Sequence, residues 1–185
     1  TVGQVKAEVM KDRILSINSE CNVVIKKEIL NGNVKDFFEN EKYDYVIDAI
    51  DMIKSKVELI KYCSENDIDL ISSMGFGNKM NPEMIKITDI SKTIMCPLAR
   101  KMRKLLRAEN IGELTVAYSE EEALKPDKSA KYKTETLTEY RDHNTLPKKT
   151  TPGSNAFVPG TAGFIISAYV IRKLLEEMWN ENIVR

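Results

Sequence analysis

The spacing of hydrophobic positions predicts alternating helices and strands over the first half of the chain. Apolar residues recur at helical spacing over residues 2–17, whereas the later short runs are β-branched and bounded by polar residues. The predicted elements in order are helix 2–17, strand Cys21–Ile25, a short helix capped by Asn33, strand Tyr45–Asp48, helix 52–65 and strand Ile68–Ser72. This alternation favours an α/β fold with a doubly wound, mainly parallel, Rossmann-like sheet.

The pattern changes after residue 74, where a glycine loop and an Asn-Pro turn interrupt the alternation. The predicted elements are an exposed strand over Met84–Ile90, a helix from Pro97 to Glu109, strand Leu114–Ser119 and a closing helix over Thr161–Asn180. We therefore expect an α+β carboxyl-terminal part. Residues 120–155 carry many charges and little apolar content, and a loop of that length inside a domain is usually functional or mobile.

The first glycine-rich turn of a nucleotide-binding sheet has no counterpart in this sequence. Such a fold normally opens with a strand, a G-x-G-x-x-G turn and a helix. Here the chain begins inside a predicted helix, and Gly75-Phe76-Gly77 comes late and leads into a turn. We expect the sheet to lack its first βαβ unit and the chain to be a fragment of a longer polypeptide.

Composition excludes several classes of protein. Hydrophobic residues make up 42% of the 185 positions and charged residues 30%, so a core can form. The 28 basic residues balance 28 acidic ones, which argues against a uniformly basic nucleic-acid binder. One histidine and three widely spaced cysteines exclude a recognisable zinc site and fit a reducing compartment. Without a recognisable signal peptide or an uninterrupted apolar span, we expect a cytoplasmic location without membrane insertion.

Two carboxylates three residues apart follow the predicted strand that ends at Ile47. Ligands of an open parallel sheet bind beyond the carboxyl ends of the strands, where Asp48 and Asp51 are expected. A carboxylate there can hold Mg²⁺ shared with nucleotide phosphates, and Lys6 can supply a cation for a phosphate. The alternative is that Asp48 ends the strand in a turn and Asp51 caps the next helix. The pattern alone leaves both interpretations open.

The segment Gly3-Gln4-Val5-Lys6-Ala7, taken with Asp44–Asp51, resembles the ThiF/MoeB/HesA superfamily of adenylating enzymes, which are related to ubiquitin-activating enzyme. Within it, the sequence looks closest to the tRNA threonylcarbamoyladenosine dehydratases. Further segments that carry the resemblance are Lys56–Cys63, Ser72–Pro82, Asp89–Thr93 and Pro97–Ala99.

The resemblance implies an ATP-dependent reaction with Mg²⁺. A carboxylate of threonylcarbamoyladenosine in tRNA would attack the α-phosphorus of ATP, and the activated acyl group would then close a ring. By motif, Lys6 would contact the phosphates, Asp51 would hold Mg²⁺ and Asp48 would line the same pocket. The family's acidic ribose-binding residue and triphosphate-binding arginines have no counterpart here.

Two alternative functions stay open beside the dehydratase. Activation of a ubiquitin-like sulfur-carrier protein is disfavoured because the paired C-x-x-C motifs of those activators are absent. A non-catalytic interaction fragment is the other alternative, suggested by the missing glycine turn. Cys96 is the cysteine nearest a predicted loop, and packing is the simpler account of it.

The resemblance also suggests how the chain is divided. Residues 1–92 would be the carboxyl-terminal part of a nucleotide-binding domain, and residues 93–185 a region for tRNA contact and dimerisation. Five basic residues of the helix that begins at Pro97 are candidates for gripping tRNA phosphates, with a solvated helix face as the alternative: Arg100, Lys101, Arg103, Lys104 and Arg107. The expected partners are modified tRNA, a second copy of the chain and a sulfur-transfer protein.

Overall fold

Five helices and four strands make up the computed structural model, which describes residues 2–38, 41–125 and 153–182. The helices are α1 (Lys6–Ile17), α2 (Val34–Phe38), α3 (Ile53–Glu65), α4 (Pro97–Ala108) and α5 (Phe157–Asn182). The strands are β1 (Val46–Asp48), β2 (Leu70–Ser73), β3 (Ile85–Asp89) and β4 (Thr115–Ser119). Short 3₁₀ helices at Pro82–Met84 and Ile90–Lys92 flank β3.

The described residues divide into two compact units. Residues 2–30 belong to the first, which contains α1, and the residues described from 31 onward belong to the second. No residue of α1 is buried in the structure as described. The sheet, the other helices and both hydrophobic clusters lie in the second unit.

The four strands of the second unit form one mainly parallel sheet in the order β1-β2-β4-β3. β1 pairs with β2 and β2 with β4 in parallel, while β3 runs antiparallel to β4. The carboxyl ends of β1, β2 and β4 therefore share one edge, which we call the carboxyl edge. Asp89, at the end of β3, pairs with Thr115 at the opposite, amino edge.

Helices cover both faces of this sheet because alternate residues of each strand point to opposite sides. On one face, α3 and α4 bury Ile60, Met102 and Leu106 against Val116 and Tyr118 of β4. On the other, α5 packs against Ile71 of β2 and Ala117 of β4. The buried residues of α5 recur at helical spacing: Val158, Ala162, Ile166 and Val170.

The opposite side of α5 is apolar as well as exposed. Phe164 is 79% exposed and Ile171 55%. By length and composition alone, Phe157–Leu175 could cross a membrane, although this test also passes core helices of proteins that never enter one. Packing against the sheet explains the buried apolar face of α5, but only 22% of the apolar window is buried, so packing does not explain the exposed face.

The predicted fold class is confirmed, whereas one predicted strand is absent and the predicted starts of two helices are wrong. α1 begins at Lys6 rather than at residue 2. Cys21–Ile25 is not a strand, because in the described residues no neighbouring strand pairs with it. α5 begins at Phe157 rather than Thr161: Asn155 Oδ1 accepts a hydrogen bond from Val158 N at 2.8 Å, and a proline is tolerated in the first turn. Residues 126–152 of the predicted loop lie outside the described residues. The division at residue 92 stays a prediction.

Candidate functional site

Asp48 lies at the carboxyl edge, at the last position of β1, and is completely buried. Its Oδ2 forms an ion pair of 2.6 Å with Lys56 Nζ of α3. Ser72 Oγ of β2 donates a second hydrogen bond to Oδ2, also at 2.6 Å, and Ile50 N donates to Oδ1 at 2.9 Å. Both carboxylate oxygens are therefore engaged within the protein.

Lys56 is the counter-ion of Asp48 and is equally buried. Besides the carboxylate, its ammonium donates to Ser72 Oγ at 3.1 Å and to the carbonyl oxygen of Ser73 at 3.0 Å. Burial lowers the pKa of Lys56 from its usual value, and the Asp48 carboxylate opposes that shift. Three acceptors match the three donors of an ammonium, so the buried charge is fully satisfied.

Lys56 is a site residue without a predicted role. The available signal was its position on α3, where it lies in the buried stripe with Leu59, Ile60 and Cys63. A lysine in an apolar stripe requires a buried acceptor, and Asp48 is the acidic residue that precedes the helix at the end of a strand.

Asp51 lies three residues beyond Asp48 at the same edge and is exposed. The alternative that it caps α3 is wrong: the N-cap is Met52, without a side-chain cap hydrogen bond. The alternative for Asp48 is partly confirmed, since its Oδ1 holds the turn at Ile50. An exposed carboxylate beside the start of a helix at the carboxyl edge can reach a metal-bound phosphate.

Lys6 is the first residue of α1 and is exposed. It belongs to the first compact unit, whereas Asp48 and Asp51 belong to the second. Its predicted contact with nucleotide phosphates therefore stays a prediction.

The glycine loop after β2 does not need the left-handed backbone that only glycine adopts freely. Gly3 and Gly32 are the glycines with positive φ in the described chain, so neither Gly75 nor Gly77 requires it. A side-chain carbon built at Gly75 would meet nothing within 4 Å. The glycines could serve either tight-turn geometry or close approach of a substrate to the backbone, and the open space at Gly75 is compatible with the second.

Asn78 joins three segments at the end of this loop. Its backbone carbonyl accepts a hydrogen bond from Leu124 N at 2.7 Å, and its backbone N–H donates to Gly153 O at 2.6 Å. Its side-chain Oδ1 accepts from Gly153 N at 2.6 Å. Next to it, Lys79 is nearly buried and donates to the carbonyl oxygens of Ser119 and Glu121. These contacts fix the loop against the end of β4.

The basic face of α4 is exposed at four of the five predicted positions: Arg100, Lys101, Lys104 and Arg107. Arg103 is half-buried instead, and its Nη1 donates to the carbonyl oxygens of Ile90 and Thr93 and to Thr93 Oγ1. Arg103 therefore ties α4 to the 3₁₀ helix that follows β3. Contact with tRNA stays a prediction for all five.

Cys63 and Cys96 are both buried and show no arrangement for nucleophilic catalysis. Cys96 is buried at the N-cap of α4, where its Sγ accepts weakly from Ala99 N at 3.5 Å. Burial, together with the Asp48 charge, raises the pKa of the Cys63 thiol to about 11, so it is protonated at neutral pH. Packing accounts for both.

A cavity of about 820 Å³ opens at the amino edge, away from Asp48 and Asp51, between Cys63, Asp89 and Gly112. Both carboxylate oxygens of Asp89 are already used, by Ser91 N and Leu114 N. Within the described ranges there is no group of three or more His, Cys, Asp or Glu side chains that could hold a metal by themselves.

Similar known proteins include several tRNA threonylcarbamoyladenosine dehydratases. A tRNA threonylcarbamoyladenosine dehydratase of Bacillus subtilis is 39% identical over 180 residues, a match that covers 96% of this chain and 69% of the relative. The dehydratase of Haemophilus influenzae is 44% identical over 109 residues, which is 42% of its length. The predicted likeness to this branch is confirmed.

Solved structures agree with the sequence matches. The Escherichia coli tRNA N6-threonylcarbamoyladenosine dehydratase has been solved in complex with ATP and with AMP. Each superimposes with a TM-score of 0.77 at 30% identity, over 97% of this chain and 68% of that chain. The ThiF family model matches residues 1–184. The chain therefore belongs to the ThiF family of adenylating enzymes.

Proposed function

We propose that this chain is part of an ATP-dependent tRNA threonylcarbamoyladenosine dehydratase. The observation that carries the proposal is the 39% identity to the Bacillus subtilis dehydratase over 96% of the chain. The likeness to a dehydratase solved with ATP supports the same activity. Because the chain spans only about two thirds of these relatives, the activity is proposed for the complete native protein.

The proposed reaction proceeds in two steps. The threonylcarbamoyl carboxylate of the tRNA attacks the α-phosphorus of ATP, which forms an acyl-adenylate and releases pyrophosphate. A nucleophile of the same modified nucleoside then attacks the acyl carbon, and AMP leaves as the ring closes. The two steps together remove one molecule of water from the nucleoside and convert ATP to AMP and pyrophosphate.

Three residues are proposed to serve the first step. Attack on a triphosphate requires neutralisation of the negative charge on its oxygens. Lys6 would supply a cation to the phosphates, and Asp51 would hold Mg²⁺. Asp51 fits that role because Mg²⁺ commonly uses one or two carboxylates, with phosphates and waters as its other ligands. Asp48, which the resemblance assigns to the same pocket, is completely buried with both carboxylate oxygens engaged, so it would serve this step without touching the nucleotide.

The metal role is tested with Asp51→Asn in the complete native protein. We expect this variant to lose ATP-dependent formation of the cyclic nucleoside, measured by mass spectrometry of nucleosides from digested tRNA. Asp67→Asn is the matched control, because Asp67 is exposed beyond the other end of α3 and has a φ of 51°, which asparagine tolerates. Equal turnover by Asp51→Asn and the control would remove the metal role.

The basic face of α4 is proposed to contact tRNA phosphates. Arg100, Lys104 and Arg107 recur at spacings of four and three, so they line one side of the helix, and α4 itself contains no acidic residue. A double charge reversal at Arg100 and Lys104 is expected to weaken tRNA binding and to reduce its salt dependence. Lys42→Glu, at an exposed loop position, is the control. An unchanged salt dependence would contradict the proposal.

A cytoplasmic homodimer is also proposed. The exposed apolar residues Phe164 and Ile171 of α5 support burial against a second copy. Light scattering of the complete protein measures the oligomeric state, and Phe164→Asp is expected to produce monomers. The sulfur-transfer partner stays a prediction.

A further inference from the structure

Three buried side chains connect the elements that surround Asp51. Asp48 ends β1, Ser72 belongs to β2 and Lys56 closes the first turn of α3. All three are completely buried and hydrogen-bonded to one another. We call Asp48, Lys56 and Ser72 the buried clamp.

The buried clamp holds the short loop that carries Asp51 from both sides. On one side, Asp48 Oδ1 accepts from Ile50 N at 2.9 Å, one residue before Asp51. On the other, Lys56 N donates to Met52 O at 3.0 Å and so begins the first turn of α3, one residue after Asp51. The side chain of Lys56 returns from this turn to Asp48. The backbone at Asp51 thus has a fixed point on each side, and the Lys56–Asp48 ion pair joins the two: Asp48 holds Ile50, and Lys56 belongs to the helical turn that begins at Met52.

We propose that the buried clamp positions Asp51 for the metal-bound triphosphate, and that Asp48 acts through the backbone of Ile50 instead of touching the nucleotide. The inference rests on the proposed function. Asp48 has no exposed surface, and both its oxygens already accept hydrogen bonds within the protein. To ligate a metal or a phosphate-bound water directly, it would have to break contacts of 2.6 Å with Lys56 and Ser72. Asp51, in contrast, is exposed.

A positioning role predicts a change in the Mg²⁺ dependence of the reaction. Partners that orient a metal ligand typically change metal affinity or activity by about 10- to 100-fold when they are removed. A purely structural role would lower the amount of folded enzyme and hence the apparent kcat, but the enzyme that remains folded would need the same Mg²⁺ concentration. The Mg²⁺ concentration at half-maximal rate therefore separates the two roles.

The experiment compares three variants of the complete native protein with the wild type, at a temperature where each is folded. Lys56→Met removes the ammonium, and Ser72→Ala removes one hydroxyl while leaving the Lys56–Asp48 pair in place. Leu106→Ala is the control, because it destabilises the core of α4 at a residue outside the clamp. ATP-dependent cyclisation is measured against Mg²⁺ concentration at saturating tRNA.

The expected result is a rise in the half-saturating Mg²⁺ concentration of about tenfold for Lys56→Met and a smaller rise for Ser72→Ala. Leu106→Ala should lower the apparent kcat and leave the half-saturating concentration unchanged. If Lys56→Met does not fold, Ser72→Ala decides alone. Unchanged Mg²⁺ dependence in the clamp variants of an active enzyme overturns the inference and leaves the proposed function standing. A wild type that forms no cyclic product overturns both.

Discussion

Replacing Lys56 with methionine should destabilise the second compact unit strongly, because the substitution leaves a buried charge without its partner. The side chains of Lys56 and Asp48 are both 0% exposed and form an ion pair of 2.6 Å. Methionine keeps most of the chain length but removes three hydrogen bonds, to Asp48, Ser72 and Ser73. Breaking one half of a buried ion pair costs about 3–5 kcal/mol of unfolding free energy.

That loss should lower Tm by roughly 6–20 °C, because each kcal/mol of unfolding free energy shifts the Tm of a domain of this size by about 2–4 °C. Thermal and urea unfolding followed by circular dichroism measure it. The matched control is Lys61→Met, which removes the partner of Glu109 in an exposed pair of 2.7 Å. Solvent screens that pair, so little change in Tm is expected.

A double-mutant cycle identifies the cause of the loss. Asp48→Asn alone should also destabilise, because it leaves the Lys56 ammonium buried without a carboxylate. The double variant Asp48→Asn/Lys56→Met contains neither charge, and its asparagine can still accept the hydrogen bond from Ile50 N. Its loss should fall short of the sum of the single losses by about 2–3 kcal/mol. Additive losses, or a Lys56→Met variant with wild-type stability, would refute this account of the pair.

Three further predictions concern other parts of the second unit. Cys63, with its pKa raised to about 11 by burial, should resist iodoacetamide until the protein unfolds, as mass spectrometry of the labelled protein will show; rapid native labelling would contradict its burial. Burial raises the pKa of Asp89, but hydrogen bonds from Ser91 and Leu114 lower it further, so the net direction is downward. The stability that these bonds supply is present above the pKa of an unfolded carboxyl, about 3.9, and is lost as pH falls through the lower folded value. Asp89→Asn should therefore lower the free energy of unfolding, measured in urea, by about 1 kcal/mol at pH 7 and by progressively less below about pH 4. A loss that does not depend on pH would contradict this role of the carboxylate. Asn78→Ala should lower the free energy of unfolding by about 2 kcal/mol, because alanine cannot accept the hydrogen bond from Gly153 N and is strained at a φ of 58°. Asn78→Gly should recover part of that loss, since glycine adopts this φ freely. Equal losses in the two variants would exclude backbone strain as a cause.

The sequence pattern located strands where a neighbouring strand was available. The predicted strands Tyr45–Asp48 and Ile68–Ser72 are observed at Val46–Asp48 and Leu70–Ser73, which pair in parallel. Cys21–Ile25 has the same character, yet it forms no strand in the described residues. The β-propensity of a residue depends on how its side chain fits a pleated surface, and it does not specify which strand will pair with the segment. A single sequence therefore predicts that a segment can be a strand, not that it will be one.

Prediction of the candidate site was limited for a related reason. The placement of Asp48 at the carboxyl edge follows from its position after a strand, which is local information. The burial of Lys56 depends on Asp48 and on Ser72 of the next strand, contacts that arise only when the sheet has formed. On a helical pattern, a lysine counts as a surface position. The position of Lys56 in the apolar stripe of α3 indicates that it needs a buried acceptor, but only the geometry identifies Asp48 and Ser72 as its partners.

The contact with Lys56 also gives different environments to Asp48 and Asp51, which look alike in the sequence. Like charges at one strand end would repel each other, and a site that binds a triphosphate with Mg²⁺ has to control how much negative charge it presents. Lys56 neutralises Asp48 inside the protein, so Asp51 is the member of the pair that presents its carboxylate at the surface. We expect that the charge that meets Mg²⁺ at this edge is that of Asp51. The charge of Asp48 is used instead to join β1, β2 and α3 around the loop on which Asp51 stands.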